Sequence, residues 1–236
     1  TMPELLLHAA VLRGDVVEVE QLLQTNSTSV WQRDSDNRTT LQTAVDGGNL
    51  ACVKLIYDEM VKSTESITGE TLLAFKNACF GEKMTIIDYF LSVDKVRVED
   101  LNGGFWARLV SYNTPNIIST IKKVKTHFGL HYDSERFVHA IRFISEEFNL
   151  CWGRIVDTIT ERNNYYNAQG KSIVKRDLET LHKYYKILKL FGYDVNNIKL
   201  LIKPTTGVVN ELGSILTPLT QEEYTADRDR YNELTT

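Results

Sequence analysis

The sequence predicts an all-α fold: an α-solenoid of stacked helix-turn-helix repeats whose second half is helical but more divergent. Three observations predict it. Three segments within the first hundred residues share an apolar half, a glycine and a second apolar half at near-constant spacing. Only four prolines occur in 236 residues, which leaves room for uninterrupted helices. Beyond the repeats, Val174, Leu178, Leu181, Tyr185 and Leu188 fall 4, 3, 4 and 3 residues apart, the spacing of one helix face.

The repeated segments are LLLHAAVLRGDVVEVEQLL (5–23), TTLQTAVDGGNLACVKLIY (39–57) and LLAFKNACFGEKMTIIDYF (72–90). Their glycines, Gly14, Gly48 and Gly81, are 34 and 33 residues apart. Apolar pairs follow eight and nine residues past each one: Leu22 with Leu23, Ile56 with Tyr57, Tyr89 with Phe90. Each unit reads as a helix, a tight corner and a second helix. Small Ala10 and Ala44 allow the first helix to approach its neighbour closely. The glycine supplies a left-handed residue that ends the first helix at little steric cost. Asp15 and Asn49 stand next, where a side-chain oxygen can cap the second helix. One such hairpin cannot cover its own apolar face, whereas stacked neighbours can.

These units resemble ankyrin repeats. In the second unit Thr39, Leu41, Ala44, Gly48, Asn49, Val53 and Ile56 stand at the places of the family core, and DSDNRT (34–39) is similar to the family's turn, with Asn37 where glycine is usual. Leu7, His8, Ala10, Gly14 and Val19 match in the first unit. The third is weaker, with Asn77 where alanine is expected. The resemblance implies that His8 hydrogen-bonds between neighbouring turns. It also implies a palm formed by the exposed sides of the first helices, and fingers formed by the turns between units. Carried over residue by residue, the finger holds Trp31, Arg33, Asp34, Ser35, Asp36 and Arg38. The palm holds Leu12 and Arg13, Thr43 and Asp46, and Phe80. An aromatic and arginines at such places suit a protein-binding hot spot.

The repeats are expected over 4–130, three clear and one degenerate. The fourth unit is read in FWARLVSYNTPNIISTIKKV (105–124), with Asn113 at its corner and the FG of 128–129 at its end. Residues 131–236 are expected to continue the stack as divergent helical pairs or to form a small separate helical domain. SERFVHAIRFI (134–144) and LCWGRIVDTI (150–159) read as a fifth pair, and polar RNNYYNAQGKS (162–172) as a long loop. The amphipathic helix after it ends at FGYDVN (191–196), similar to the close of many ankyrin repeats. TTGVVNELGSILTPL reads as loop with a short helix. The last segment opens on a Thr220/Glu223 capping box, and residues 221–236 carry a net charge of -3.

Composition narrows the function. A formal charge of -4 argues against binding nucleic acid through its phosphates, and the lysines at 122, 123 and 125 and at 183, 186 and 189 read as solvated helix faces. No apolar run approaches the ~18 residues of a membrane span. Cys52, Cys79 and Cys151, odd in number and widely spaced, fit reduced core thiols and a reducing compartment such as the cytosol. Phosphate-loop, dinucleotide, zinc-helix and nucleophile-elbow motifs are absent. DLNGGF (100–105) lacks the lysine a phosphate loop needs, and His127 with His131 is a weak metal pair because Gly129 interrupts them. No cofactor is expected.

The reading is a non-enzymatic protein-binding module, monomeric alone, that engages a protein partner. Its degenerate repeats and richness in Asn, Lys, Ile and Tyr are similar to ankyrin proteins of intracellular bacteria and large DNA viruses. That resemblance implies an effector delivered to a host cytosol. The alternative is an ankyrin-targeted enzyme whose helical second half uses Cys151 as a thiol nucleophile and His139 as its base.

Overall fold

A computed structural model of the chain describes residues 6–26, 30–63, 66–93, 95–130, 134–160, 168–194 and 197–198. The regular structure among the described residues is helical. Their one β-type pairing is an isolated antiparallel bridge between Arg33 and Thr39. None of their helices is long and apolar enough to cross a membrane. The chain divides into two compact units, Thr1–Phe128 and Gly129–Thr236.

The first unit holds four helical pairs: α1 (Leu6–Arg13) with α2 (Val16–Thr25), α3 (Thr40–Gly47) with α4 (Leu50–Lys62), α5 (Thr68–Phe80) with α6 (Met84–Ser92), and α7 (Gly103–Ser111) with α8 (Ile117–His127). First helices pack in series, α1 on α3, α3 on α5 and α5 on α7, and second helices do likewise, α2 on α4 and α4 on α6. Asp15 and Asn49 cap α2 and α4, accepting from Glu18 N and from Ala51 and Cys52 N.

Four left-handed residues make the corners: Gly14 (φ +71°), Gly48 (+76°), Glu82 (+55°) and Asn113 (+46°). Each donates its backbone N–H to the carbonyl three residues back, on Val11, Val45, Cys79 and Val110, at 3.0–3.3 Å. The third corner is therefore Glu82. Gly81 has φ -89° and is only the end of α5. With that one-residue correction the first three corners are 34 residues apart and the fourth follows after 31. Ala78, not Asn77, then stands level with Ala10 and Ala44, and all three are fully buried. The apolar pair past the corner becomes Phe90 and Leu91, both buried, whereas Tyr89 is part-exposed. In the fourth unit Leu109 takes the alanine place and Trp106 the place of Leu7, Leu41 and Phe75. Trp106 is core, its Nε1 donating to the Leu101 carbonyl at 3.1 Å.

The adjacent glycines of the second unit have different jobs. Gly48 takes the left-handed turn. Gly47 is where α3 meets the end of α1: a Cβ there would lie 2.7 Å from the Val11 carbonyl oxygen. The cap of one unit also covers the corner of the one before, since Asn49 Nδ2 donates to the Gly14 carbonyl at 3.2 Å.

The second unit is built differently. The expected fifth pair is one continuous helix, α9 (Ser134–Thr160), about 40 Å long. The stretch ISEEFN between the two expected helices has neither a left-handed residue nor a helix breaker. Gly153 lies inside the helix with Arg154, not a capping residue, after it. A second long helix, α10 (Ala168–Phe191), packs against α9. It begins inside the expected loop of 162–172; the earlier part of that loop lies outside the described residues. The pair runs antiparallel: Phe137 stacks on Phe191 at 4.4 Å, Phe143 meets Tyr184 edge-on, and Arg154 pairs with Asp177. Val174, Leu178, Leu181 and Leu188 are buried as expected, but Tyr184 rather than Tyr185 completes the face. Trp152 is core. Gly192 (φ +75°) ends α10, its N–H on the Lys189 carbonyl. The expected features of 199–236, including the Thr220/Glu223 box, lie outside the described residues.

Candidate functional site

Side chains two residues before each corner form a row on the first helices: Leu12, Asp46, Phe80 and Ser111. Leu12, Asp46 and Ser111 are exposed and Phe80 is part-exposed. The residues three and four before each corner are fully buried throughout: Val11, Val45, Cys79 and Val110, and Ala10, Ala44, Ala78 and Leu109. Helical geometry explains the contrast, because positions 100° apart around the axis face the next helix or away from it. The corner register thus decides which side chains the first helices present.

The finger of the second unit is held by the Asp34 carboxylate. Its Oδ1 accepts the backbone N–H groups of Asp36 and Arg38, each at 2.9 Å, while Oδ2 takes Arg38 Nε. Burial works against the charge, but these donors and the Arg38 guanidinium outweigh it and hold the carboxyl below its ordinary range. Asn37 supplies the left-handed residue of this turn (φ +61°). Arg38 also pairs with Asp36 and Asp46.

Arg33 donates to the Asn37 carbonyl and to Glu70 of α5, at 2.8 Å. Glu70 accepts in addition from Thr39 and Gln42, so it ties the finger and α3 to α5. Trp31 is half-buried, and its Nε1 donates to Ser63 Oγ at the end of α4, at 3.1 Å. It anchors the finger to the next helical pair. His8 bridges neighbouring units, with Nδ1 on Thr43 Oγ1 at 2.9 Å and Nε2 on the Gln32 carbonyl at 3.0 Å.

The structure thus gathers Asp34, Asp36, Arg38 and Asp46 into one charged cluster, with Arg33 paired separately to Glu70 beside it. Leu12 (55% exposed) and Arg13, which pairs with Glu18, sit together at the first corner. Thr43 does not belong on the palm. It is 3% exposed, with its hydroxyl on His8, because it lies on the side of α3 that faces α1.

Phe80 acquires neighbours that sequence reading missed. Its ring lies 5.1 Å from that of Tyr112 and 5.8 Å from that of Phe105. The Arg108 guanidinium stands over it at 5.0 Å and donates to the Tyr112 hydroxyl at 3.1 Å. Arg108 is exposed and Tyr112 is 46% exposed. The signal was available: extending the palm to the corner at Asn113 lands on Ser111 and Tyr112.

The sites weighed for other chemistry look different in place. Cys151 and His139 share α9, twelve residues and so about 18 Å of helix apart, too far for a base to reach a thiol. Cys151 is 1% exposed, and burial together with nearby Asp177 pushes its thiol up, against the opposing pull of Arg154. In DLNGGF the Asn102 side chain caps α7 by accepting Phe105 N at 3.1 Å. His131 lies outside the described residues, and no group of three or more metal-ligating side chains occurs among the described ones.

No protein-family model, curated protein or solved structure shows significant similarity to this chain.

Proposed function

We propose that the first unit is a non-enzymatic protein-binding module working as ankyrin-like repeats do, through the exposed faces of its first helices and the adjoining finger. One observation supports this above the others. Across four consecutive corners the buried places hold nearly uniform residues, Ala, Ala, Ala, Leu and Val, Val, Cys, Val, while the exposed place beside them varies from Leu to Asp to Phe to Ser. A constant scaffold carrying a freely varied row of side chains is what recognition of another polypeptide requires. The charged finger adds electrostatic selectivity more than affinity, since its arginines already have partners within the chain. The family resemblance would make the partner a host protein.

The test is affinity capture with the parent chain and with a Leu12→Glu, Asp46→Lys double variant. Both positions are exposed, and Asp46 is one of three carboxylates beside Arg38, so circular dichroism should match the parent and stability should fall by no more than about 1 kcal/mol. The reading requires a protein that the parent retains and the variant loses. Equal capture by both would remove the first-helix face from the account. Trp31 and Arg33 make poorer probes, because replacing them also cuts Ser63 and Glu70 loose.

A further inference from the structure

The charged groups around the first helices are mostly neutralised within the chain: Arg13 by Glu18, Arg33 by Glu70, and Arg38 by Asp34, Asp36 and Asp46. Arg108 is an exception. Among the described residues no carboxylate pairs with it, and its recorded partners are the Tyr112 hydroxyl and the Phe80 and Tyr112 rings. Lys76, four residues before Phe80 and therefore on the same side of α5, likewise has no ion pair among the described residues. The face shared by α5 and α7 thus carries two cations beside two partly exposed aromatic rings, and no carboxylate among the described residues forms an ion pair with either cation.

The geometry suits capture of a carboxylate. A guanidinium carries five N–H donors in a planar fork, and one bond to a phenol leaves most of them free. Ring packing holds the fork in place: Phe80 is braced from behind by Phe105, and Tyr112 lies beside it at a 32° interplanar angle. Fixing the arginine before the partner arrives lowers the entropy lost on binding. Nearly half of Tyr112 is open to solvent, so a partner can reach its ring.

Building on the binding-module reading, we infer that this face takes an acidic segment of the partner protein. One apolar side chain of that segment sits on Phe80 and Tyr112, and a neighbouring Asp or Glu carboxylate bonds to Arg108, with Lys76 adding longer-range attraction. A nucleic acid could also offer anions and flat rings. The formal charge of -4 on the chain disfavours a polyanion, whereas a short acidic stretch feels chiefly the local cations.

The experiment pans random phage-displayed peptides on the whole chain. Synthetic fluorescent copies of the enriched peptides, copies with their acids replaced by amides, and a labelled oligothymidylate are then titrated by anisotropy. Enriched sequences should place Asp or Glu beside an apolar residue. Amidation should weaken binding at least about tenfold, and Arg108→Gln, an exposed change checked by circular dichroism, should do the same. Raised salt should weaken the acidic peptides and leave the amidated ones unmoved. The inference is overturned by no enrichment, by enriched peptides without acids, by equal binding to Arg108→Gln, or by tighter binding of the oligonucleotide. If enriched peptides ignore Arg108→Gln but are lost in the Leu12→Glu, Asp46→Lys variant, the binding-module reading stands and this assignment of the face fails.

Discussion

The two units use glycine in opposite ways. At 48 a glycine ends a helix, and at 153 a glycine lies within one. Composition does not distinguish them, but the next residue does. Gly48 is followed by Asn49, whose side chain caps the following helix through two backbone N–H groups. Gly153 is followed by Arg154, whose guanidinium reaches Asp177 of α10 only while the helix continues, with bonds at 2.7 and 3.2 Å. Asp177 is 1% exposed, so breaking α9 there would leave a buried carboxylate without one of its two arginines. At Gly48 the left-handed residue and the capping side chain after it act together, whereas at Glu82 the left-handed residue ends α5 with no side-chain cap on α6. What the corners share is the left-handed residue, and α9 runs on where none occurs.

Substitutions at these glycines should pull the comparison apart. The largest effect is expected from Gly48→Val, since a β-branched residue at φ +76° is strained by about 2 kcal/mol or more. Denaturant unfolding should show the loss, and a parent-like midpoint would reject the corner. Gly47→Ala should cost roughly 1–3 kcal/mol, because its Cβ would press on the Val11 carbonyl of the neighbouring unit. In the second unit Gly153→Ala should act the other way, stabilising by up to about 1 kcal/mol as a helix-interior glycine is removed. Destabilisation there would mean that α9 bends at 153.

Smaller effects sharpen the same contrast. Glu82→Gly should relieve left-handed strain and stabilise by less than about 1 kcal/mol, since the bond from Asn116 N to the Glu82 carboxylate is lost. The finger adds a pH dependence. The Asp34 carboxyl titrates below its ordinary 3.8, so its contribution is complete above that value and fades as pH falls through the lower folded value. Asp34→Asn should therefore lower stability at neutral pH and flatten the acid side of the profile; an unchanged acid side would contradict the finger network.

Much of the first unit was legible in the sequence. Apolar spacing, small Ala10 and Ala44, and the pairs Gly14–Asp15 and Gly48–Asn49 all encode local backbone behaviour, which neighbours in the chain report faithfully. The third corner was misplaced by one residue because Gly81 is the obvious left-handed candidate. The even 34-residue spacing of Ala10, Ala44 and Ala78 is the cue that places the turn on Glu82. The long α9 was misread for a related reason: two apolar runs joined by ISEEFN look like two helices unless the absence of a stop signal is weighed. The candidate site was partly legible. Phe80, Tyr112 and the finger residues follow from repeat register, but Arg108 became visible only once α7 was laid beside α5. Thr43 was placed outward because its bond to His8, 35 residues away, leaves no local trace.

The presented face depends on corner register, so the most direct measurement is the backbone φ at residues 81, 82, 113 and 153, from NMR couplings and shifts of the whole chain. The account predicts positive φ at Glu82 and Asn113, a negative φ near -89° at Gly81 and a helical value at Gly153. Positive φ at Gly81 with a helical Glu82, or a helix break within 145–153, would contradict it.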